Sequence, residues 1–149
     1  MLRDKKTPRF LLVQCAQRNK SAGKWMLPGG YIEKYEQPLC GIERELREET
    51  GIIVPLANCI GILRQWCNVF SYSAIYDSSQ MTERVFATRT DHDETCDFGW
   101  ARFDKNICKW IVEDAEGKPK LTDGRSAMLR KGTKKLLDLA LMDFQCMVL

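Results

Sequence analysis

The sequence predicts an α/β fold in which helices and strands pack against each other in layers. Several short apolar runs contain β-branched or aromatic residues, which is typical of strands. Two longer segments carry helical signals, and the strand segments flank them along the chain, which favours a layered sandwich. At 149 residues the chain is long enough for a sizeable core, and we expect residues 1–149 to form a single domain.

The composition limits the classes of partner. The chain is 44% apolar and 29% charged, which is ordinary for a globular protein. Its formal net charge of +3 is too small to argue for a nucleic-acid or membrane partner. No apolar run approaches the length of a membrane span, and the charged start MLRDKKTPRF lacks the apolar centre of a signal peptide.

The cysteine pattern indicates the redox environment. The seven cysteines are widely scattered and form no C-x-x-C pair, and His92 is the single histidine. This pattern argues against a zinc site or a disulfide framework. Because reduced thiols fit a reducing compartment, we expect a cytoplasmic protein.

Strands are predicted where short apolar runs lie between polar or turn-forming residues. The segment 25–33 is interrupted by Pro28, Gly29 and Gly30, which form a turn signal. The predicted strands are residues 10–16, 52–54, 59–66, 69–76, 84–90 and 99–103.

Two helices are predicted, each from its own signals. Pro38 suits the first helical turn and Gly51 suits the position after the last, so a helix is expected from Pro38 to Thr50. A second helix is expected over residues 125–144, with Gly132 a weak point inside it.

The first helix carries an acidic cluster at its C-terminal end. Glu45, Glu48 and Glu49 fall within an arc of roughly 100°, where the helix dipole disfavours anions. Gly41 lies in the same arc and leaves room above the carboxylates, while Arg44 is spaced to pair with Glu48. The apolar stripe beside this arc should face the core and consists of Leu39, Ile42 and Leu46.

These features oppose helix stability and favour a hard cation such as Mg²⁺ or Mn²⁺. The alternative is a solvated charged helix face, which would leave the glycine, the adverse dipole and the preceding turn without a common cause.

The segment GYIEKYEQPLCGIERELREETGI, residues 30–52, resembles the complete Nudix box. That family pattern is Gly, five residues, Glu, seven residues, Arg-Glu, an aliphatic residue, any residue, Glu-Glu, any residue, Gly and an aliphatic residue. The preceding KWMLPGG is also similar to the family, whereas Tyr35 and Cys40-Gly41 depart mildly from its common residues. The fixed positions are filled by Gly30, Glu36, Arg44, Glu45, Leu46, Glu48, Glu49, Gly51 and Ile52.

The resemblance implies a Nudix-type α/β/α sandwich with a mixed central sheet. It also implies Mg²⁺- or Mn²⁺-dependent hydrolysis of a pyrophosphate bond in a nucleoside diphosphate derivative, such as a nucleotide, nucleotide sugar or dinucleoside polyphosphate. By position, Glu45, Glu48 and Glu49 would hold the metal together with the Gly29 carbonyl, and Glu45 could also act as a base. Arg44 would orient the glutamates, and Glu36 would support them.

A further carboxylate is expected from the loop in TDHDETCDFGW, residues 90–100. Family members commonly supply a glutamate before a tryptophan-bearing strand, and Trp100 resembles that tryptophan. Glu94 is the preferred metal ligand and catalytic residue, with Asp93 and Asp97 as alternatives, and His92 is expected to be a bystander.

The substrate within this class is left open. Cys67 and Asn68 stand where members that cleave ADP-ribose often carry proline, and no coenzyme A pattern is evident. Four aromatic residues could stack on a base, although core positions are the more frequent role of such residues; they are Trp66, Phe70, Tyr72 and Tyr76. A basic run could meet phosphates or form a solvated helix face, and it consists of Arg125, Arg130, Lys131, Lys134 and Lys135.

The alternatives to a hydrolase of small nucleotide-type molecules are a non-catalytic Nudix-like nucleotide-binding or sensor domain and an RNA-decapping member. A pure binder has no need for three crowded carboxylates, and the modest net charge of +3 does not indicate an RNA groove. A homodimer is left open.

Overall fold

The computed structural model describes residues 2–4, 8–16, 20–54, 59–66, 69–120 and 128–147, with the backbone alone at 59–66, 69–73, 78 and 142–147. Its centre is a seven-stranded sheet in the order β4-β5-β1-β2-β6-β7, with β3 paired to β2 off this path. The strands are β1 (Leu2–Asp4), β2 (Phe10–Cys15), β3 (Trp25–Met26), β4 (Cys59–Trp66), β5 (Val69–Tyr76), β6 (Thr95–Asp104) and β7 (Lys109–Glu113). The helices are α1 (Pro38–Thr50), α2 (Glu83–Phe86) and α3 (Lys131–Met147).

The sheet is mixed, as predicted. β1 runs parallel to β5, and the other pairings of the described strands are antiparallel. The parallel pair joins Leu2 to Ala74, two residues that are distant in sequence. A parallel pair needs a long crossover connection, and α1 lies within that connection.

Alternation along β2 places the two large helices on opposite faces of the sheet. Leu11 and Val13 pack in one buried cluster with Leu46 of α1. Leu12 packs in the other cluster with Leu137 of α3. Successive side chains of a strand point to opposite faces, so the described residues form the expected sandwich of helix, sheet and helix.

The bounds of α1 are those predicted from the sequence. Pro38 stands at its first positions, and Gly51 ends it in the left-handed region with φ 74°, where its N–H donates to the Arg47 carbonyl at 2.8 Å. A Cβ added at Gly51 would collide with the Val85 carbonyl and the Thr88 hydroxyl. Gly51 therefore meets both a conformational and a steric requirement.

Residues 84–90, predicted as a strand, instead begin in α2 and continue into a turn, so that prediction is wrong. The cause lies just before the segment, because the Thr82 side chain accepts a hydrogen bond from the Val85 N–H and caps the helix. Glu83 adds a favourable charge in the first turn, and Phe86 is buried.

Residues 52–54 also lie outside any strand. Their alternating burial resembles a strand, since Ile52 and Val54 are buried and Ile53 is exposed. The Ile52 N–H, however, donates to the Thr50 hydroxyl at 3.1 Å instead of to a neighbouring strand.

The C-terminal helix begins later than the predicted residue 125. Residues 125–127 lie outside the described residues, and Leu129 forms a parallel bridge with Trp25, so the chain is extended before Lys131. Gly132 consequently lies in the first turn of α3, where its low helix propensity costs less than in the interior. No helix in the described ranges is long and apolar enough to cross a membrane.

We expect Gly51→Ala to lower the free energy of unfolding by about 2 kcal/mol or more, because it adds a collision to the strain of a left-handed residue. Gly117→Ala is the matched control, since Gly117 has φ 86° but open space where the Cβ would lie. Urea unfolding of both variants separates the cost of the left-handed conformation from the cost of the collision. Equal losses of unfolding free energy in the two variants would contradict a cost from the collision.

Candidate active site

The C-terminal end of α1 is completed by the loop that precedes β6. The Glu48 carbonyl accepts hydrogen bonds from the N–H groups of Thr90 and Asp91 at 3.0 and 2.9 Å. The Glu49 carbonyl accepts one from the Thr95 hydroxyl at 3.1 Å. Because the last carbonyls of a helix lack helical partners, these bonds fix the loop against the acidic end of α1.

Arg44 holds the half-buried carboxylates of the site together. Its Nη1 donates to Glu45 Oε1 at 2.8 Å and to Glu48 Oε2 at 3.0 Å, so the predicted pair with Glu48 is confirmed. Its Nε and Nη2 donate to the two oxygens of Glu36 at 2.9 and 3.0 Å, and Nη2 also reaches the Tyr31 carbonyl at 2.9 Å. These bonds, that to Glu36 foremost, raise the pKa of the guanidinium above its ordinary value.

Glu49 is a buried carboxylate with an incompletely compensated charge. Its side chain is fully buried, and its Oε2 accepts a hydrogen bond from the Gly29 N–H at 2.8 Å. Its Oε1 has no hydrogen-bond partner among the described residues. Burial raises its pKa to about 8, with further increases from the charges of Glu45, Glu94 and Asp91 and an opposing effect of the Gly29 bond.

The two glycines before α1 allow the turn to approach the carboxylates of Glu45 and Glu49. A Cβ added at Gly30 would lie 2.5–2.6 Å from the carboxylate atoms of Glu45. Gly29 has φ 146°, which L side chains rarely adopt, and its N–H bonds Glu49. The Gly29 carbonyl was predicted as a metal ligand, and the N–H of the same residue bonds Glu49.

The space beside Gly41 differs from the expectation. A Cβ at Gly41 would lie 2.9 Å from Glu36 Oε2 and 3.5 Å from Ile32 Cγ1. The glycine therefore makes room for Glu36 instead of leaving open space above the helix carboxylates. The reason is Arg44, which draws Glu36 onto the helix and by its hydrogen bonds lowers the pKa of that carboxyl.

Glu94 lies on the loop that completes α1. Its N–H donates to Asp91 Oδ1 at 3.0 Å, and its carbonyl accepts a hydrogen bond from the Ala16 N–H at 2.8 Å. Its charge contributes to the raised pKa of both Glu45 and Glu49, although burial is the larger cause for each. The loop thus brings Glu94 toward the helix glutamates.

The other acidic residues of the segment 90–100 differ in their placement, since Asp97 lies within β6. Asp97 forms an ion pair with Lys120 and accepts a hydrogen bond from the Phe98 N–H. Asp91, which the sequence analysis did not select, contributes to the raised pKa of Glu49. Its only sequence signal is membership of the same acidic loop. Asp93 and His92 lie on the exposed turn of this loop.

The remaining predicted residues fall into three groups. Trp100 and Tyr76 pack in or against the core cluster on the α1 face, as expected for aromatic residues. Lys134 pairs with Asp138 on α3, and Arg130 contacts the Met26 sulfur, so both have structural partners. The third group lies outside the described residues or side chains and comprises Trp66, Cys67, Asn68, Phe70, Tyr72 and Arg125.

The donor chemistry of the site fits a hard cation. Glu49 presents a buried carboxylate oxygen without a hydrogen-bond partner among the described residues, and burial raises the pKa of Glu45 as well. Both observations indicate that the protein alone stabilises the ionised form of these carboxyl groups only in part. In the described part of the chain, no three His, Cys, Asp or Glu side chains form a ready metal cluster. Arg44 Nη1 instead bonds one oxygen each of Glu45 and Glu48.

The chain matches a family model and resembles known proteins. A family model described as the NUDIX domain matches residues 1–129. A MutT-like protein of Streptomyces ambofaciens is 43% identical over 49 residues, which are 33% of this chain and 32% of that relative.

Two solved structures are similar to this chain. The crystal structure of a MutT/nudix family protein from Enterococcus faecalis gives a TM-score of 0.56 at 17% identity, over 91% of this chain and 54% of that chain. A MutT protein from Methanosarcina mazei gives 0.48 at 21% identity, over 95% of this chain and 86% of that one.

The matches differ in how much of each protein they cover. The chain spans about a third of the curated relative and about half of the Enterococcus protein. The likeness to the Enterococcus protein, at 17% identity, supports the fold. The family match covers most of the chain and includes the whole of α1 with its carboxylates. The chain therefore belongs to the Nudix family.

Proposed function

We propose that this protein hydrolyses a pyrophosphate bond in a nucleoside diphosphate derivative and requires Mg²⁺ or Mn²⁺. Membership in the Nudix family supports hydrolysis of such derivatives in general. The observation that carries the metal requirement is the buried Glu49 carboxylate, whose Oε1 has no hydrogen-bond partner among the described residues. A buried anion is costly unless a cation or hydrogen bonds compensate it.

The residues proposed to hold the cation are Glu45, Glu48, Glu49, Glu94 and the Gly29 carbonyl. A bound divalent ion supplies charge neutralisation at the phosphate oxygens and activates water. The chain itself supplies the positions of the acids. Arg44 fixes Glu45 and Glu48 by hydrogen bonds, and the Gly29 N–H fixes Glu49 by another. Glu45 is proposed as a base as well, because burial raises its pKa toward that of a useful proton acceptor.

We further propose that residues 1–149 form one domain in a cytoplasm-like compartment. The family match to residues 1–129 supports the first part, as does the packing of Leu137 and Ala140 of α3 against the sheet. The scattered cysteines of the sequence support the second part.

The function is tested with a panel of nucleotide pyrophosphates, with products identified by mass. Turnover should disappear in chelator and return with Mg²⁺ or Mn²⁺, because the buried acids need a counterion. Glu45→Gln should lower turnover about 100-fold or more. Glu43→Gln is the matched control, since Glu43 lies on the same helix outside the Arg44 contacts. Full turnover in chelator would contradict the metal requirement, and binding without turnover would favour the sensor alternative.

The loop carboxylate is tested by Glu94→Gln, Asp93→Asn and Asp97→Asn. We expect Glu94→Gln alone to lower turnover about 10- to 100-fold or to raise the metal concentration required. The charge of Glu94 influences both Glu45 and Glu49, whereas Asp97 is paired with Lys120. Turnover is measured across a metal titration. Three unchanged curves, or a loss confined to an aspartate variant, would contradict the assignment of Glu94.

The pKa of Glu49 predicts a pH-dependent stability in chelator. The pKa is about 8 in the folded protein against an ordinary 4.5, so the unfolded chain ionises first as pH rises. Stability from this group is complete below pH 4.5 and is lost as pH rises through about 8. We expect this loss of stability to be on the order of 5 kcal/mol between these limits, and Glu49→Gln should abolish it. Urea midpoints at several pH values check this, and identical slopes in both proteins would contradict it.

A further inference from the structure

Two tyrosines beside the acidic site expose almost their entire side chains. They lie on the segment between the glycine turn and α1, residues 31–37, which we call the aromatic loop. Tyr31 is 95% exposed and Tyr35 is 91% exposed. A single exposed aromatic residue needs no explanation, but two on one short loop next to a candidate site form a surface that can bind an apolar or planar group.

The aromatic loop has an ordered network of hydrogen bonds. Arg44 Nη2 donates to the Tyr31 carbonyl at 2.9 Å. The Glu33 N–H donates to Glu36 Oε2 at 2.9 Å, and the Glu36 N–H donates back to the Glu33 carbonyl at 3.0 Å. Both tyrosines are therefore presented by a backbone that is tied to the Arg44 contacts, so their exposure is a property of a defined conformation.

Tyr35 has a backbone conformation that suits glycine better. Its φ is 70°, and it occupies the third position of the turn from Glu33 to Glu36. A bulky L residue is strained there, and an exposed ring offsets little of that strain through burial. Lys34 Nζ lies 4.9 Å from the ring centroid, which covers one face of the ring at most. A residue that costs stability without packing is expected to serve a purpose through its side chain.

The position of Tyr31 relates this surface to the carboxylates. Tyr31 directly follows Gly30, whose added Cβ would lie 2.5 Å from the Glu45 carboxylate. The same guanidinium bonds the Tyr31 carbonyl, Glu45 and Glu48. In a nucleoside diphosphate the base stands one ribose away from the phosphates. The backbone of Tyr31 lies beside the acids that the proposed function assigns to the phosphates, and its exposed ring is free to contact the base.

We propose that Tyr31 and Tyr35 bind the base of the nucleotide by stacking. Through this contact they select substrates that carry a base over substrates that lack one. This inference rests on the proposed function, which places the phosphates at the acids of α1. Stacking accepts the π face of every base. The site should therefore distinguish nucleotides from base-free diphosphates strongly, and one base from another weakly.

The test compares two probes, ADP and its base-free counterpart ribose 5-diphosphate, with Mg²⁺ present. Binding is measured by calorimetry and turnover by phosphate release. We expect Tyr31→Ala and Tyr35→Gly each to weaken ADP binding about tenfold and to leave ribose 5-diphosphate unchanged. Tyr31→Phe should retain wild-type binding, because the ring is kept. Ile107→Ala is the control for loss of an exposed apolar side chain far along the chain, on the turn before β7.

Tyr35→Gly carries a second readout that a structural role would not produce. Its urea midpoint should rise, because glycine relieves the φ strain, while ADP binding falls. Unchanged ADP binding in both tyrosine variants, or an equal loss for both probes, would overturn the stacking proposal. Absence of turnover by the wild-type protein on every nucleotide would instead overturn the proposed function, and the binding comparison would still decide the role of the tyrosines.

Discussion

The guanidinium of Arg44 is the interaction on which the acidic end of the protein depends. Carboxylates at the negative end of a helix dipole repel the helix and one another. Arg44 offsets this repulsion by donating to Glu36, Glu45 and Glu48 at once. Because its N–H donors have fixed directions, it also sets the position of the loop before α1 through the Tyr31 carbonyl. A lysine would supply the charge but not this geometry.

The contacts that finish α1 also bring Glu94 toward the helix glutamates. The carbonyls at the helix end need donors, and Thr90 and Asp91 of the loop before β6, with Thr95 at the start of that strand, supply them. The sequence indicated this loop but could not choose among its acids by spacing alone. The approach of Glu94 depends on its backbone bond to Ala16, a residue that is distant in sequence. The pairing of Arg44 with Glu48 was thus predictable, because spacing on a helix fixes geometry, whereas the placement of the loop acids was not.

The fold follows the same division between local and distant causes. α1 was predicted to the residue because Pro38 and Gly51 act locally. β1 and β3 are too short to show a pattern, and their partners are distant in the sequence or fixed by the sheet. The strand predicted for residues 84–90 does not form, because the cap at Thr82 outweighs the β-branched content of that segment. The open space predicted beside Gly41 is occupied by Glu36, whose orientation is set by Arg44. No single residue of the sequence reveals this contact.

Several energetically unfavourable features of this chain lie close together near the end of α1. Glu49 is buried with an oxygen that no described residue bonds, Gly29 and Gly30 give up backbone entropy, and Tyr35 is held at a strained φ. On the opposite face of the sheet, Leu12 and Leu137 pack in an apolar cluster whose unpartnered buried polar atom, among the described residues, is the uncharged indole nitrogen of Trp25. The costs at the end of α1 differ in kind, because they join a buried ionisable group to a strained backbone position. In the proposed function, a bound cation and a stacked base would offset these costs.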